Sequence, residues 1–317
     1  MSRPAGLAFD TRDTCPACGC TDTATRFDCR FDEPPIAPFL ADYYGLDPSW
    51  LDGRYRAEQC RSCASWFQAE VGNPALLERL YADWVFDVGD PMNDPLYAFD
   101  MAHPRQSRDG HEAMAAAAVL GLDLAGLRTL DYGMGWASWA RVAAMLGCQS
   151  HGHDLAPDRM AFAAGHGIAP HAPGNQYHFI NAEQVFEHLP DPRGTIAMLA
   201  EALLPGGILK ISLPSPRGLA EALAALTPGR GKADAGAIMP LHPLEHVNCF
   251  SRAGLSALGK SAGLAVHPPP VAASFAFLRH AGSLDPANPR KAAKELVRPF
   301  YQRLNPRNHL VWMRKAG

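Results

Sequence analysis

Leu130-Asp131-Tyr132-Gly133-Met134-Gly135-Trp136-Ala137 decides how the rest of the chain is read. Thr129 to Tyr132 reads as the end of a short buried strand. Ser138 to Leu146 then repeats apolar residues at helical spacing through Val142, Met145 and Leu146, until Gly147 stops the pattern. A glycine turn between a strand and a helix lets a ligand approach the backbone closely and offers it the free N–H groups of the helix start. The stretch is a candidate cofactor loop.

Outward from this turn the pattern is regular. A helix over about 110–120 precedes a strand at 127–132, and a helix at 137–146, a strand at 148–153 and a helix at 157–164 follow. A strand at 177–182 leads to a helix at 192–204, with Asp191 as N-cap, Pro192 at its first position and Gly206-Gly207 as its stop before a strand at 208–213. The third strand is reduced to about Ile168–His171, and a helix near 290–303 and a strand at Asn308–Arg314 close the pattern. Alternation at this spacing predicts an α/β fold with a parallel, doubly wound, Rossmann-like sheet, whose ligands sit at the carboxyl ends of the strands.

Asp154 falls about 20 residues beyond the turn, at the end of the next strand, where a carboxylate can accept hydrogen bonds from both hydroxyls of a ribose. Capping the helix that starts near Pro157 is its competing use. A dinucleotide fits poorly, because the G-x-G-x-x-G spacing fails: no third glycine follows Gly133 and Gly135 at the required place.

The loop Asp131-x-Gly133-x-Gly135-x-Ala137 resembles the first motif of class I S-adenosylmethionine-dependent methyltransferases. The resemblance runs over about 110–265 and takes in Val185-Phe186-Glu187-His188-Leu189-Pro190-Asp191-Pro192, Leu203 to Leu209, and Cys249-Phe250-Ser251 with the helix after it. It implies S-adenosylmethionine as cofactor. Gly133 and Gly135 would lie under its methionine part, Asp131 would order the loop and the cofactor's amino group, and Asp154 would bind the ribose. Ala137 stands at the family's usual third glycine.

Before this domain, Cys15-Pro16-Ala17-Cys18-Gly19 and Cys60-Arg61-Ser62-Cys63 form two C-x-x-C pairs, suited to the two halves of a structural tetrahedral zinc site. Four protein ligands leave no position for a catalytic water, so this zinc would hold the fold. Cys20 or Cys29 could replace one of the four, and Ala64 follows the second pair where a glycine is expected. These features divide the chain into a small zinc-ribbon-like module at 1–70, a connector at 71–109 and a methyltransferase domain at 110–317. The module resembles those attached to a subset of bacterial methyltransferases. In the connector, Leu76, Leu77, Leu80 and Tyr81 form an amphipathic piece, and the segment Asp87–Pro95 reads as a loop. Tyr81, Trp84, Phe86, Tyr97 and Phe99 are candidates for a cleft, with core packing their commoner fate.

Methyl transfer to oxygen needs an aligned acceptor and a proton acceptor. Glu187 and His188 follow the fourth strand, and His242, Glu245 and His246 follow the fifth; a histidine suits a base at neutral pH. Gln184-x-x-Glu187-His188 also resembles the Glu-x-x-Glu-His motif by which some O-methyltransferases hold a divalent ion. Gln184 replaces the first glutamate, and His246 is a further ligand candidate. Pro214 to Pro243 form a long insertion with one short helix, Leu219–Leu226, and a Gly229-Arg230-Gly231-Lys232 turn, and 214–250 reads as a lid or acceptor wall.

Composition bounds the partners. Hydrophobic residues make up 47% and charged residues 19% of the 317, a globular composition, and the formal net charge of −3 gives no push towards nucleic acid. The apolar run Ala113–Leu122 is too short to span a bilayer, and Met1–Thr14 does not read as a secretory signal, so a cytoplasmic location without a membrane partner is the expectation. The reading that results is a methyltransferase for a small-molecule acceptor, with oxygen favoured and a sugar or related metabolite among the candidates. An RNA methyltransferase gripping its substrate through the zinc ribbon, and a non-catalytic cofactor-binding module, are the alternatives.

Overall fold

The computed structural model describes residues 6–85, 89, 91–304 and 307–317; Phe86 and part of the Asp87–Pro95 loop lie outside them. The first part of the chain runs β1 (Phe9–Thr11), β2 (Thr23–Arg30), α1 (Ile36–Tyr44), β3 (Arg54–Cys60), β4 (Trp66–Gln68), β5 (Glu70–Gly72), α2 (Pro74–Arg79) and α3 (Pro95–Ala102). Next come α4 (Arg108–Leu120), β6 (Arg128–Tyr132), α5 (Ser138–Met145), β7 (Gln149–His153), α6 (Pro157–Gly165), β8 (Ala169–Pro170), β9 (Tyr177–Glu183), α7 (Pro192–Ala202) and β10 (Leu203–Pro214). The last part holds α8 (Leu219–Ala224), α9 (Ala235–Ile238), β11 (Asn248–Cys249), α10 (Arg252–Ser261), β12 (Leu264–Val266), α11 (Pro289–Leu304) and β13 (Asn308–Lys315).

Seven strands form the main sheet in the order β12-β13-β10-β9-β6-β7-β8. The run β10-β9-β6-β7-β8 is parallel, and β13 is antiparallel to both of its neighbours. After β6 the chain moves outward through β7 and β8, then returns to place β9 on the other side of β6. The carboxyl ends of β6 and β9 therefore flank the switch point, where a crevice opens in such sheets. The glycine turn leaves β6 and residues 184–188 leave β9, so sequence order alone brings them to one place.

Local signals account for most boundaries. Asp191 accepts a hydrogen bond from Gly194 N at 2.9 Å to start α7, and Ser251 does the same for Gly254 N at 2.8 Å to start α10. Each such cap contributes about 1 kcal/mol. Gly206-Gly207, expected to stop a helix reaching residue 204, do something else. The helix ends at Ala202, and the pairing of β10 with β9 shifts register between Leu203 and Ile208. Gly206 has φ +75° inside that irregularity, and a Cβ on Gly207 would lie 2.8 Å from the Leu204 carbonyl oxygen. These glycines serve a bulge in the strand, which helix spacing does not reveal.

The first part is not a separate bead. Its antiparallel sheet has the order β11-β4-β3-β2, so a strand from residues 248–249 completes it, while β5, which spans the division at residue 70, pairs with β1. Phe39, Leu40, Tyr55 and Trp66 share one core with Leu219, Leu223, Ile238 and Leu241 of the 214–250 insertion. The insertion carries two short helices where one was expected, and its glycine turn is pinned: Gly229 N donates to Pro34 O at 2.6 Å and Lys232 pairs with Asp42. It forms a packed wall against α1.

Candidate functional site

Gly133 and Gly135 hold the left-handed backbone at φ +69° and +53°. Gly133 N and Met134 N both donate to the His153 carbonyl, at 2.8 and 3.1 Å, which fixes the turn against the end of β7. A Cβ on Gly133 would come within 2.5 Å of a Val185 methyl, so the turn presses on the loop after β9. Ala137 also has positive φ, +56°, and is fully buried. An alanine there bears the strain that a glycine would avoid, about 1–2 kcal/mol.

Asp154 sits where the glycine turn meets the entry to α6. One carboxylate oxygen accepts from Gly135 N at 2.9 Å and the other from Ala156 N at 3.0 Å, so it braces the glycine turn and the entry to α6 from a half-buried position. Asp131 lies deeper. It is 3% exposed, accepts from Ala140 N at 3.2 Å and from Asn181 Nδ2 at 2.8 Å, and burial pushes its carboxyl up to about 7. It orders the loop by holding the start of α5. Asn181 in turn accepts from Lys210 Nζ at 2.9 Å, and the fully buried Lys210 ammonium reaches Glu183 at 2.6 Å and Glu112 at 3.1 Å. Arg108 closes this network on Glu183, whose carboxyl the two cations hold down against its burial, to about 2. The motif reading did not find Lys210 or Arg108: a lysine in the middle of an apolar strand is the only signal, and its partners are distant in sequence.

Beyond Val185, ligand atoms of Glu187, His188 and His246 lie within 4.8 Å of one another. Glu187 is completely buried, neither of its oxygens has a hydrogen-bond partner among the described residues, and burial pushes it up to about 8. The His188 and His246 rings meet edge to face with centroids 4.6 Å apart. His246 Nδ1 lies 2.6 Å from the Met239 carbonyl, which can only accept; Nδ1 therefore carries the proton and Nε2 keeps its lone pair. Burial and the neighbouring His246 push His188 down to about 3, and the Tyr81 hydroxyl lies 3.2 Å from its Nδ1. Gln184, at φ +54°, turns away and donates to the Ser212 carbonyl at 3.3 Å.

His242 is set apart. It is fully buried beneath Phe39, Tyr43 and Tyr44, with Nδ1 2.9 Å from the Tyr44 hydroxyl and its ring 5.9 Å from that of His246. Tyr44 also contacts Glu245 at 3.2 Å, and Gln68 Nε2 donates to the carbonyls of both His242 and His246, at 2.7 and 2.9 Å. Tyr44 and Gln68, contributed from the cysteine-bearing sheet and its helix, carry no motif and escaped the sequence reading. Of the connector aromatics, Tyr81 reaches this cluster, whereas Trp84 packs beside Trp50 and Tyr97 donates to the Trp136 carbonyl.

The four cysteines of the two pairs converge as well. Cys15 Sγ lies 3.6 Å from Cys63 Sγ, and Cys18 Sγ 3.5 Å from Cys60 Sγ. The knuckles share a pattern: Gly19 N donates to Cys15 O at 2.8 Å and Ala64 N to Cys60 O at 2.9 Å, with positive φ at both Gly19 and Ala64. The conformation expected of a glycine is thus present at Ala64. Cys20 and Cys29 are outside the cluster; Cys29 Sγ points at the carbonyls of Arg30, Glu33 and Pro34. The knuckles rest on the methyltransferase half, with the Ser251 hydroxyl donating to Cys63 O and Arg193 reaching Ala17 O.

A seven-stranded sheet with this switch point, a glycine turn after β6 and an acid after β7 defines a class I S-adenosylmethionine-dependent methyltransferase fold. The family described as "Methyltransferase domain" matches residues 101–268, more than half of the sequence, and the chain belongs to that family. Among curated proteins it is similar to the ubiquinone biosynthesis O-methyltransferase of Xanthomonas oryzae pv. oryzae, 33% identical over 121 residues that cover 33% of this chain and 50% of that protein. The protein of the same description from Xanthomonas euvesicatoria pv. vesicatoria is 30% identical over 159 residues, covering 45% and 64%. The chain thus spans about half to under two thirds of the length of these relatives. A solved structure, an S-adenosylmethionine-dependent methyltransferase from Mesorhizobium loti, aligns at 21% identity and TM-score 0.38 over 65% of this chain and all of that one. Among the described residues, no helix is long and apolar enough to cross a membrane.

Proposed function

We propose that the chain transfers the methyl group of S-adenosylmethionine to a hydroxyl of a small molecule. The observation that carries this reading is the contact of the glycine turn with Val185, which puts the cofactor loop beside a strand end bearing Glu187 and His188. Gly133 and Gly135 would underlie the cofactor, Asp154 would exchange its backbone partners for the ribose hydroxyls, and Asp131 would hold the loop from below. As the methyl group moves from sulfur to the acceptor oxygen, the acceptor loses its proton. His246, whose Nε2 keeps its lone pair, would receive it, while the burial that pushes His188 down to about 3 makes that ring the weaker proton acceptor. His242 would set the position of the histidine loop through Tyr44.

Glu187, His188 and His246 would also fit a divalent ion. The buried, unpartnered carboxylate and the free Nε2 of His246 are the supporting features, and the Met239 carbonyl is the kind of outer partner that orients a ligating histidine. Such an ion would make an acceptor hydroxyl more acidic. The cysteine cluster would hold a structural zinc: sulfurs 3.5–3.6 Å apart stand close to the spacing of about 3.8 Å that a tetrahedral site with zinc–sulfur bonds of about 2.3 Å requires. On this reading 1–70 is the zinc module, 71–109 the connector and 110–317 the catalytic domain, with 214–250 as the acceptor wall.

The test is turnover of labelled S-adenosylmethionine against a panel of catechol, phenol and sugar hydroxyls, with and without chelator, for the native chain and Asp154→Ala. Label should reach at least one acceptor and fall more than tenfold in the variant. Turnover untouched by Asp154→Ala would remove the site assignment, and label appearing only in RNA would replace the acceptor class.

A further inference from the structure

The helix α11 faces the wrong way for a core helix. Its apolar residues Leu296, Val297, Phe300, Tyr301 and Leu304 follow the i, i+1, i+4, i+5, i+8 spacing of a single stripe, yet every one is exposed, from 40% for Leu296 to 80% for Leu304. The buried underside is polar. Glu295, 4% exposed, sits 3.3 Å from His111 Nδ1 and accepts from Arg298 Nε at 2.7 Å, while Lys291 lies over the Phe99 ring. This underside fixes the rotation of the helix and leaves the apolar stripe on the outer side among the described residues. The stripe continues onto the neighbouring turn through Leu278, 50% exposed, and Phe275, whose ring is 5.9 Å from that of Phe300.

Charge decides what would cover it. In a chain of net charge −3, α11 carries Arg290, Lys291, Lys294, Arg298 and Arg303 against the single acid Glu295. Arg290 and Lys294 are exposed, and on the helical wheel both lie along one edge of the stripe. An apolar stripe edged by cations fits the boundary between anionic headgroups and acyl chains, where a helix lies in the plane of the surface. A second copy would bring like charges together, and phosphates of a nucleic acid would gain nothing from Val297 and Leu304. We infer that α11 docks this protein on an anionic lipid surface, a contact that needs no spanning segment.

The experiment is co-sedimentation of the full chain with vesicles of phosphatidylcholine alone or mixed with phosphatidylglycerol. The native chain should partition onto the anionic vesicles. Lys294→Glu and the pair Val297→Ser with Leu304→Ser should each lower the partition coefficient by at least about fivefold, with melting temperature and cofactor-product affinity unchanged. These positions are exposed, so loss of fold is not the expected cause. Equal partitioning onto neutral vesicles, no partitioning at all, or a dimer in sedimentation velocity that Val297→Ser dissolves would each overturn the inference.

Discussion

Replacing Gly133 with alanine tests the cofactor site at its tightest point. Two costs follow from the geometry. At φ +69° an alanine bears about 1–2 kcal/mol of left-handed backbone strain, and its Cβ would stand 2.5 Å from a Val185 methyl, an overlap of the kind that costs about 1–3 kcal/mol. The turn relieves both by moving away from the loop after β9, and cofactor affinity should fall by about 2–4 kcal/mol, roughly 30- to 1,000-fold. Calorimetric titration with S-adenosylhomocysteine measures this directly, and a thermal melt shows that the sheet itself survives. Truncating the neighbour separates the terms: Gly133→Ala with Val185→Ala removes the overlap but keeps the strain, so about half of the lost binding energy should return. Affinity within twofold of the native chain for Gly133→Ala alone would refute the placement of the cofactor. No recovery in the double variant would refute the steric cause.

Elemental analysis of protein purified without added metal should give one zinc per chain, and Cys63→Ser should lose it and melt at a lower temperature, since a structural zinc contributes to folding outright; a metal-free native chain with the same melting temperature would contradict this. The buried Asp131 makes a pH prediction. Its carboxyl is raised to about 7 in the folded chain from about 3.9 in the unfolded one, so the unfolded state ionises first and stability falls as pH rises between those values, by up to about 1.4 kcal/mol per unit. Urea unfolding at pH 5 and pH 7 should show native stability dropping by about 2 kcal/mol more than that of Asp131→Asn, and parallel pH profiles would exclude the effect.

What the sequence disclosed and what it withheld divide along physical lines. The strand, glycine turn and helix around Gly133 were legible because each depends on neighbours within a few residues, as was the cap at Asp191. Gly206-Gly207 misled because a glycine pair after an apolar helix reads as a stop, while a bulge in a parallel strand depends on its partner strand. Glu187, His188 and His246 were each visible as chemistry, but their meeting is a property of the switch point together with the wall at 214–250. Tyr44 and Gln68 could not be found, since an ordinary tyrosine and an ordinary glutamine become site residues only through contacts more than 170 positions away. The outward stripe of α11 was hidden for a similar reason: amphipathic spacing says that a helix has two faces, and Glu295 with His111 decides which of them points inward.

The strand β11 has a consequence for how the chain is made. Gln68 ends the strand that β11 must pair with, yet Asn248 leaves the ribosome 180 positions later, which at about 5–20 residues per second is roughly 10–40 s. Through that interval the edge of β4 and the underside of both cysteine knuckles have no permanent cover. An early-bound metal would then act as a placeholder, keeping the four thiols from wrong pairings until the catalytic half arrives to close the sheet.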